Sequence, residues 1–83
     1  MYYVYLLESN SDYYTGYTMD FRRRFAEHNS GLSDYTRGRQ WNLLYYEAYV
    51  SKKDAIERER QLKRHANAMT SLKRRLKHTL SQK

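Results

Sequence analysis

Cysteine is absent from the 83 residues, so disulfides and thiolate metal sites are excluded and a reducing compartment is allowed. Long apolar runs are absent too. The longest, Val4 to Leu7 with its tyrosines, is far too short for a membrane span or a secretory leader, so the expected setting is the cytoplasm, with no membrane partner. There is no internal repeat and no low-complexity linker, and the length leaves room for one domain with one modest core. Acidic residues are scarce in the C-terminal part. Residues 51 to 83 hold three acids against eleven Lys or Arg, whereas residues 1 to 50 hold six acids against five Arg, so the net charge of +7 belongs to the C-terminal helices. Such an asymmetry favours a polyanionic partner, most often nucleic acid, over a small neutral substrate. A solvated helical surface explains a lysine-rich helix taken alone equally well.

What is plentiful is tyrosine, with ten in the chain. Tyr2-Tyr3-Val4-Tyr5-Leu6-Leu7 reads as a strand, Ser9-Asn10-Ser11-Asp12 as a turn, and Tyr13-Tyr14-Thr15 as the returning strand of an antiparallel hairpin. On the first strand Tyr3, Tyr5 and Leu7 share one face, and Val4 and Leu6 the other. The aliphatic face is expected under helices, the tyrosine face beside a half-wet cleft. The run stops at Gly16, and a helix is expected from a cap at Thr18 or Asp20 to about Asn29, with Gly31 placed as a left-handed terminator. This helix carries a contradiction. Its apolar stripe is Phe21 and Phe25, yet Arg24 and His28 complete the same face. An inward arginine is costly without an anionic partner in the fold or in a ligand, so a polar pocket is expected there instead of a dry core.

The stretch from Ser30 to Arg39 reads as a loop, and Thr36, Arg37 and Arg39 beside Tyr35 make the mixture of charge and stacking surface that holds a backbone phosphate. Trp41 to Tyr46 is a third strand, running on to Tyr49 or Val50. Ser51-Lys52-Lys53-Asp54 fits an acidic capping box, so a second helix begins at Ser51. Its inward stripe is Ala55, Glu59, Leu62 and Ala66, which puts Glu59 where an aliphatic residue is expected. After a break at Asn67, Ala68 to Leu80 has Met69, Leu72, Leu76 and Leu80 on one face, with Lys73, Arg74, Arg75 and Lys77 mostly off it.

With these residues in hand, the chain resembles a GIY-YIG nuclease domain. The first half-motif stands as Tyr3-Val4-Tyr5 and the second as Tyr14-Thr15-Gly16. The helix Asp20 to His28 places Arg24 eight positions after the motif glycine and His28 four further on. Ala55 to Lys63 is similar to the segment that supplies the family's metal-binding glutamate. The resemblance covers about residues 2 to 65 and is closest to the small stand-alone members, through Tyr35-Thr36-Arg37-Gly38-Arg39 and Trp41 to Tyr45. Departures are visible: Tyr3 replaces the first motif glycine, Val4 and Thr15 replace isoleucines, and Tyr17 stands where repair enzymes of the family carry a lysine.

The resemblance implies an α+β fold, a small three-stranded antiparallel sheet flanked by helices, with its core over residues 2–65 and a basic C-terminal helix over 68–80. It implies phosphodiester hydrolysis, in DNA more than RNA, with one Mg²⁺ or Mn²⁺, as in DNA repair; with so little protein outside the active-site fold, single-stranded or irregular DNA is the expected substrate. Its catalytic set maps to Tyr5, Tyr14, Arg24, His28 and Glu59, with Glu59 as metal ligand. Strand contacts fall to Tyr17, Thr36, Arg37, Arg39, Lys63, Lys73, Arg74 and Lys77. The chemistry fits the residue types. Arg24 offers a fixed fork of donors to a phosphate, Glu59 a hard carboxylate to the cation, and Tyr5 or Tyr14 a proton acceptor once a nearby cation favours phenolate. Alternatives stay open: a binding module that keeps the fold without turnover, an Arg24–Glu59 structural pair, a structural His28, and Glu57 as rival ligand. So small a chain also leaves a homo-oligomer or a larger protein partner open.

Overall fold

In a computed structural model, which describes residues 1–30 and 38–81, the elements run β1 (Tyr2–Ser9), β2 (Asp12–Thr18), α1 (Phe21–Ser30), β3 (Asn42–Tyr49), α2 (Lys52–Arg64), α3 (Ala66–Arg75) and α4 (Lys77–Ser81). The sequence positions of Gly31, Tyr35, Thr36 and Arg37 lie outside the described residues. The three strands form one antiparallel sheet in the order β2-β1-β3. The central place falls to β1 because it has apolar side chains for both faces, and Val4, Tyr5, Leu6 and Leu7 are all buried. Asn10 and Ser11 close the β1–β2 hairpin with φ of 50° and 72°, the left-handed pair a two-residue loop requires. The Ser11 amide donates to the Glu8 carboxylate at 3.0 Å, which satisfies the tight turn locally.

Two cores lie on opposite faces of the sheet. Val4 and Leu6 pack with Ala55 and Leu62 of α2 and with Leu72 and Leu76 further on. On the other face Tyr5, Leu7 and Trp41 pack with Tyr14, Phe21 and Phe25. The tyrosine face is therefore an aromatic core where α1 roofs it, and the half-wet cleft expected beside it lies where Tyr3 and Tyr46 stay open to solvent. The compact part also extends past residue 65, since Leu72 and Leu76 are core residues. The stretch 68–80 is two helices, not one, with the chain departing from helical geometry at Leu76 (φ −99°, ψ 21°).

Local signals account for most of the boundaries. Ser51 caps α2 by accepting from the Asp54 amide at 3.4 Å, and Asp20 accepts from the Arg23 amide at 3.2 Å at the start of α1. The Asn29 side chain pins the other end of α1 to β3, donating to the Trp41 carbonyl at 3.1 Å and accepting from the Trp41 amide at 2.6 Å. A register shift between Leu6 and Leu7 leaves Leu44 as an extra residue on β3. The bulge sends Leu44 to the aliphatic core while Leu43 and Tyr46 stay on the α1 side.

A long-range clamp sets α2 against the sheet. Glu47 occupies an inward position of β3 and accepts from both the Tyr45 and Tyr49 hydroxyls. Arg58 of α2 donates Nε to both of its oxygens at 3.0 Å and Nη2 to Oε2 at 3.0 Å. Burial resists the Glu47 charge, but these donors outweigh it and hold the carboxyl below its ordinary range. Among the described residues, no helix is long and apolar enough to cross a membrane.

Candidate active site

Tyr5 of β1 pairs across the hairpin with Gly16 of β2. A Cβ at residue 16 would fall 2.8 Å from Tyr5 Cε2 and nearer still to its Cζ and hydroxyl, so only glycine lets the phenol lie across the neighbouring strand. That ring then reaches α1. Its hydroxyl meets His28 Nε2 at 2.8 Å, with Tyr5 1% and His28 0% exposed. Phe21 stands edge-on to Tyr5 with centroids 5.3 Å apart, and Tyr14 edge-on to His28 at 4.7 Å, so the pair is walled by rings.

Arg24 lies one turn before His28 on the same helix face. Its guanidinium bonds Glu27 at 3.0 Å and also engages the hydroxyls of Tyr5 and Tyr14. Burial works against its charge, but the bonds to Glu27 and the phenols prevail and hold it firmly protonated. Arginine only donates, so the Tyr5 oxygen accepts from Arg24 and directs its own proton to His28. His28 suits that role. Burial first, then the Arg24 charge, lower its pKa to about 4, against a smaller opposing effect of Glu27, so it is a neutral acceptor at neutral pH. Burial pushes the Tyr5 phenol above its ordinary range despite Arg24 beside it.

The third contribution comes from α2. Glu59 pairs with Lys63 at 3.2 Å, and the Lys63 ammonium sits 5.5 Å from the centre of the Tyr14 ring. The Glu59 charge reaches Tyr5 as well, where it opposes ionisation of the phenol. Five side chains from four elements thus gather beside edge strand β2: Tyr5, Tyr14, Arg24, Glu59 and Lys63. No salt bridge joins Arg24 to Glu59 among the described residues; each has a partner on its own helix instead.

The profile of the GIY-YIG catalytic domain matches residues 1–75. The chain belongs to this family. A UPF0213 protein of Halobacterium salinarum is 46% identical over 71 residues, covering 82% of this chain and 92% of that one. One from Streptococcus pneumoniae is 48% identical over 65 residues, covering 75% of this chain and 66% of that one. The solution NMR structure of a UPF0213 protein of Bacillus halodurans superposes with a TM-score of 0.58 at 38% identity, over 92% of this chain and 84% of that chain. The three-stranded α+β architecture is accordingly that of a small stand-alone GIY-YIG domain, and the family is one of nucleases acting on nucleic acids.

Within the GIY-YIG domain the remaining expected residues are dispersed. Tyr17 faces the aliphatic core and stacks parallel on Tyr2, with centroids 6.4 Å apart, away from the Gly16 side. Arg39 is taken up internally: Nη2 donates to the Ser9 carbonyl at 2.8 Å and pairs with Asp12 at 2.9 Å, and the guanidinium lies 5.0 Å over Trp41. It staples the hairpin to the start of β3, with its side chain still 31% exposed. Lys73 sits 4.2 Å over the Tyr13 ring and, with Arg74 and Lys77, lines a shallow basic cleft apart from the cluster. Glu57 is exposed and lines another surface with Lys53 and Arg60. Thr36 and Arg37 lie outside the described residues.

The polar pocket expected under α1 is reduced to its rim. His28 and Tyr5 are sealed inside, whereas Arg24 and Tyr14 are half-buried. Among the described residues, no three His, Asp or Glu side chains converge as a metal cage. Glu59 alone fits a hard divalent cation that keeps most of its shell as water and substrate phosphate. Sequence reasoning missed Glu27 as the partner of Arg24, although the i, i+3 spacing of opposite charges was there to be read.

Proposed function

We propose that this GIY-YIG domain is a divalent-metal-dependent endonuclease that hydrolyses phosphodiesters in DNA, with Tyr14 as the proton acceptor. The observation that carries the reading is the position of Tyr14: its half-buried phenol meets the Arg24 guanidinium from one helix and the Lys63 ammonium from another. That placement leaves the phenol half-open to an attacking water, with the Arg24 fork of donors beside it and the Lys63 ammonium over its ring, as a proton acceptor next to a phosphate requires. Tyr5 is the weaker candidate because it is sealed from solvent and its proton is committed to His28.

The roles follow from that placement. Arg24 turns its fork of donors to the non-bridging phosphate oxygens, held by Glu27 on one side and by the Tyr5 oxygen beneath. The Tyr5–His28 bond fixes the phenol that supports the guanidinium. Tyr14 accepts the proton as the water oxygen bonds to phosphorus, and the P–O ester bond breaks to an alkoxide that solvent protonates. Glu59 would hold Mg²⁺ or Mn²⁺, which supplies Lewis-acid compensation for charge on the phosphate and the leaving oxygen.

Incubation of the purified chain with single-stranded and duplex DNA, and with RNA of the same sequence, plus Mg²⁺ or Mn²⁺ tests the reading. Cutting is expected with DNA, and Arg24→Ala and Glu59→Gln should each reduce it by roughly 10²-fold or more. Salt-sensitive binding without cutting under either metal would transfer the assignment to a nucleic-acid-binding module, for which the basic cleft of α3 and α4 suffices.

A further inference from the structure

Beside the cluster, on the α1 side of the sheet, lies a groove of about 490 Å³ that neither core fills. Its walls are Tyr3 of β1, Tyr46 and Leu43 of β3, Phe21 at the start of α1, and the preceding Met19, with Arg22 at the lip. Three rings shape it: Tyr3 and Tyr46 stand edge to face at 6.0 Å, and Phe21 and Tyr46 lie 6.3 Å apart. Tyr46 is 56% and Met19 67% exposed, while Arg22 is also open to solvent. Large apolar side chains left open together mark a binding surface.

We propose that this groove receives an unpaired nucleobase of the substrate strand, so the preferred substrate is single-stranded next to the scissile phosphate. The inference rests on the nuclease reading for its occupant, a nucleic-acid strand. Four observations carry it. The Phe21 ring that walls the groove also stands 5.3 Å from Tyr5, so groove and cluster share a wall. Phe21 and Arg24 are three residues apart on one helix, a rise of about 4.5 Å, so a phosphate on Arg24 and its own or a neighbouring base at Phe21 fit one strand. The groove offers ring surfaces and a thioether, which grip a flat base regardless of sequence, and Arg22 adds a cation for its backbone. A paired base, stacked inside a duplex, cannot enter a pocket of this kind. An apolar helix of another protein would instead cover Arg22 at the groove's mouth without supplying it an anion.

The test compares binding of a (dT) strand of about 12 nucleotides with an abasic deoxyribose-phosphate strand of equal length, in metal-free buffer so that nothing is cut. Wild type and Tyr46→Ala are used, Tyr46 being solvent-exposed and outside the catalytic set, with circular dichroism confirming that the variant folds. Wild type should prefer the base-bearing strand by roughly 5- to 100-fold, and Tyr46→Ala should erase most of that preference while binding the abasic strand as before. Equal affinity of wild type for the two strands, or a preference untouched by the substitution, overturns the proposal. So does concentration-dependent self-association that Tyr46→Ala abolishes, since the groove would then be an interface between copies. Failure of the two readings is separable. DNA cutting without base preference sinks the groove alone, and base-dependent binding without cutting sinks the nuclease alone.

Discussion

His28 is a histidine that the fold cannot afford to charge. It is fully buried, it accepts from Tyr5, and Arg24 one turn away repels a second positive charge, so its pKa falls from 6.5 to about 4. The unfolded chain therefore takes up a proton near pH 6.5 that the folded chain refuses until about pH 4. Stability is present in full above pH 6.5 and drains away as pH falls through that window, by on the order of 1–2 kcal/mol at pH 5. Urea unfolding of wild type and His28→Asn at pH 7 and pH 5 checks this: the wild-type loss should exceed that of the variant, and equal losses would contradict it. At this scale much was legible. Arg24, Gly16 and Glu59 stood out because each broke a local pattern, an inward charge or an aromatic run cut short. Tyr5 and Tyr14 could not be told apart, because both occupy motif positions on strands. Only the packing of α1 decides that one is sealed and the other half-open. The internal partners of Arg39, Ser9 and Asp12, were not legible either, because they lie far back in the chain.

At the scale of elements, α2 is the part whose placement matters most, since it brings Glu59 and Lys63 to Tyr14. Residue 58, next to Glu59, is the arginine that Glu47 holds, so one ion pair fixes how α2 lies across β3. Burial first, and the hydrogen bond to the Glu47 carboxylate next, push the Tyr45 and Tyr49 phenols up to about 12. Glu47→Gln should cost about 2–3 kcal/mol. That is less than for a fully buried pair, because the Arg58 and Glu47 side chains retain 22% and 14% exposure. Urea denaturation measures the cost, and an unchanged midpoint would show the clamp to be energetically idle. The caps at Asp20 and Ser51 were readable because capping is local. The clamp was not, because its partners are separated along the chain and belong to different elements. One signal was available: Glu47 sits on the inward alternation of β3 between Tyr45 and Tyr49, where an acid must have a partner.

Across the whole molecule, the near-neutral first half builds the sheet and α1, and the basic second half wraps α2, α3 and α4 over the aliphatic face. The basic helices are thus part of the core as well as a charged surface. Deleting the chain after Ala66 would remove Leu72 and Leu76 from that core and unfold the protein, so it says nothing about binding. Replacing the exposed Arg74 and Lys77 by Gln separates the two roles. The salt dependence of DNA binding should then shallow by up to about 0.9 for each phosphate that is no longer neutralised, with sequence preference unchanged. An identical slope would remove these residues from the interface. The hairpin, the third strand and the helices α1 and α2 were legible from turn residues and periodicity, the assembly of the strands into one sheet from the family resemblance, and the division between α3 and α4 from neither. The second core was not legible, nor were the residues that close the cleft beside the tyrosine face, because both form only when α1, β1 and β3 are brought together.

The proposed chemistry turns on Tyr14 as the group that takes the proton from the attacking water. Single-turnover cleavage of one DNA strand under saturating protein, compared between wild type and Tyr14→Phe, reads that role directly. Loss of the hydroxyl should slow the chemical step by roughly 10²–10⁴-fold while strand affinity stays within a factor of about two. Cleavage by Tyr14→Phe at the wild-type rate would contradict it.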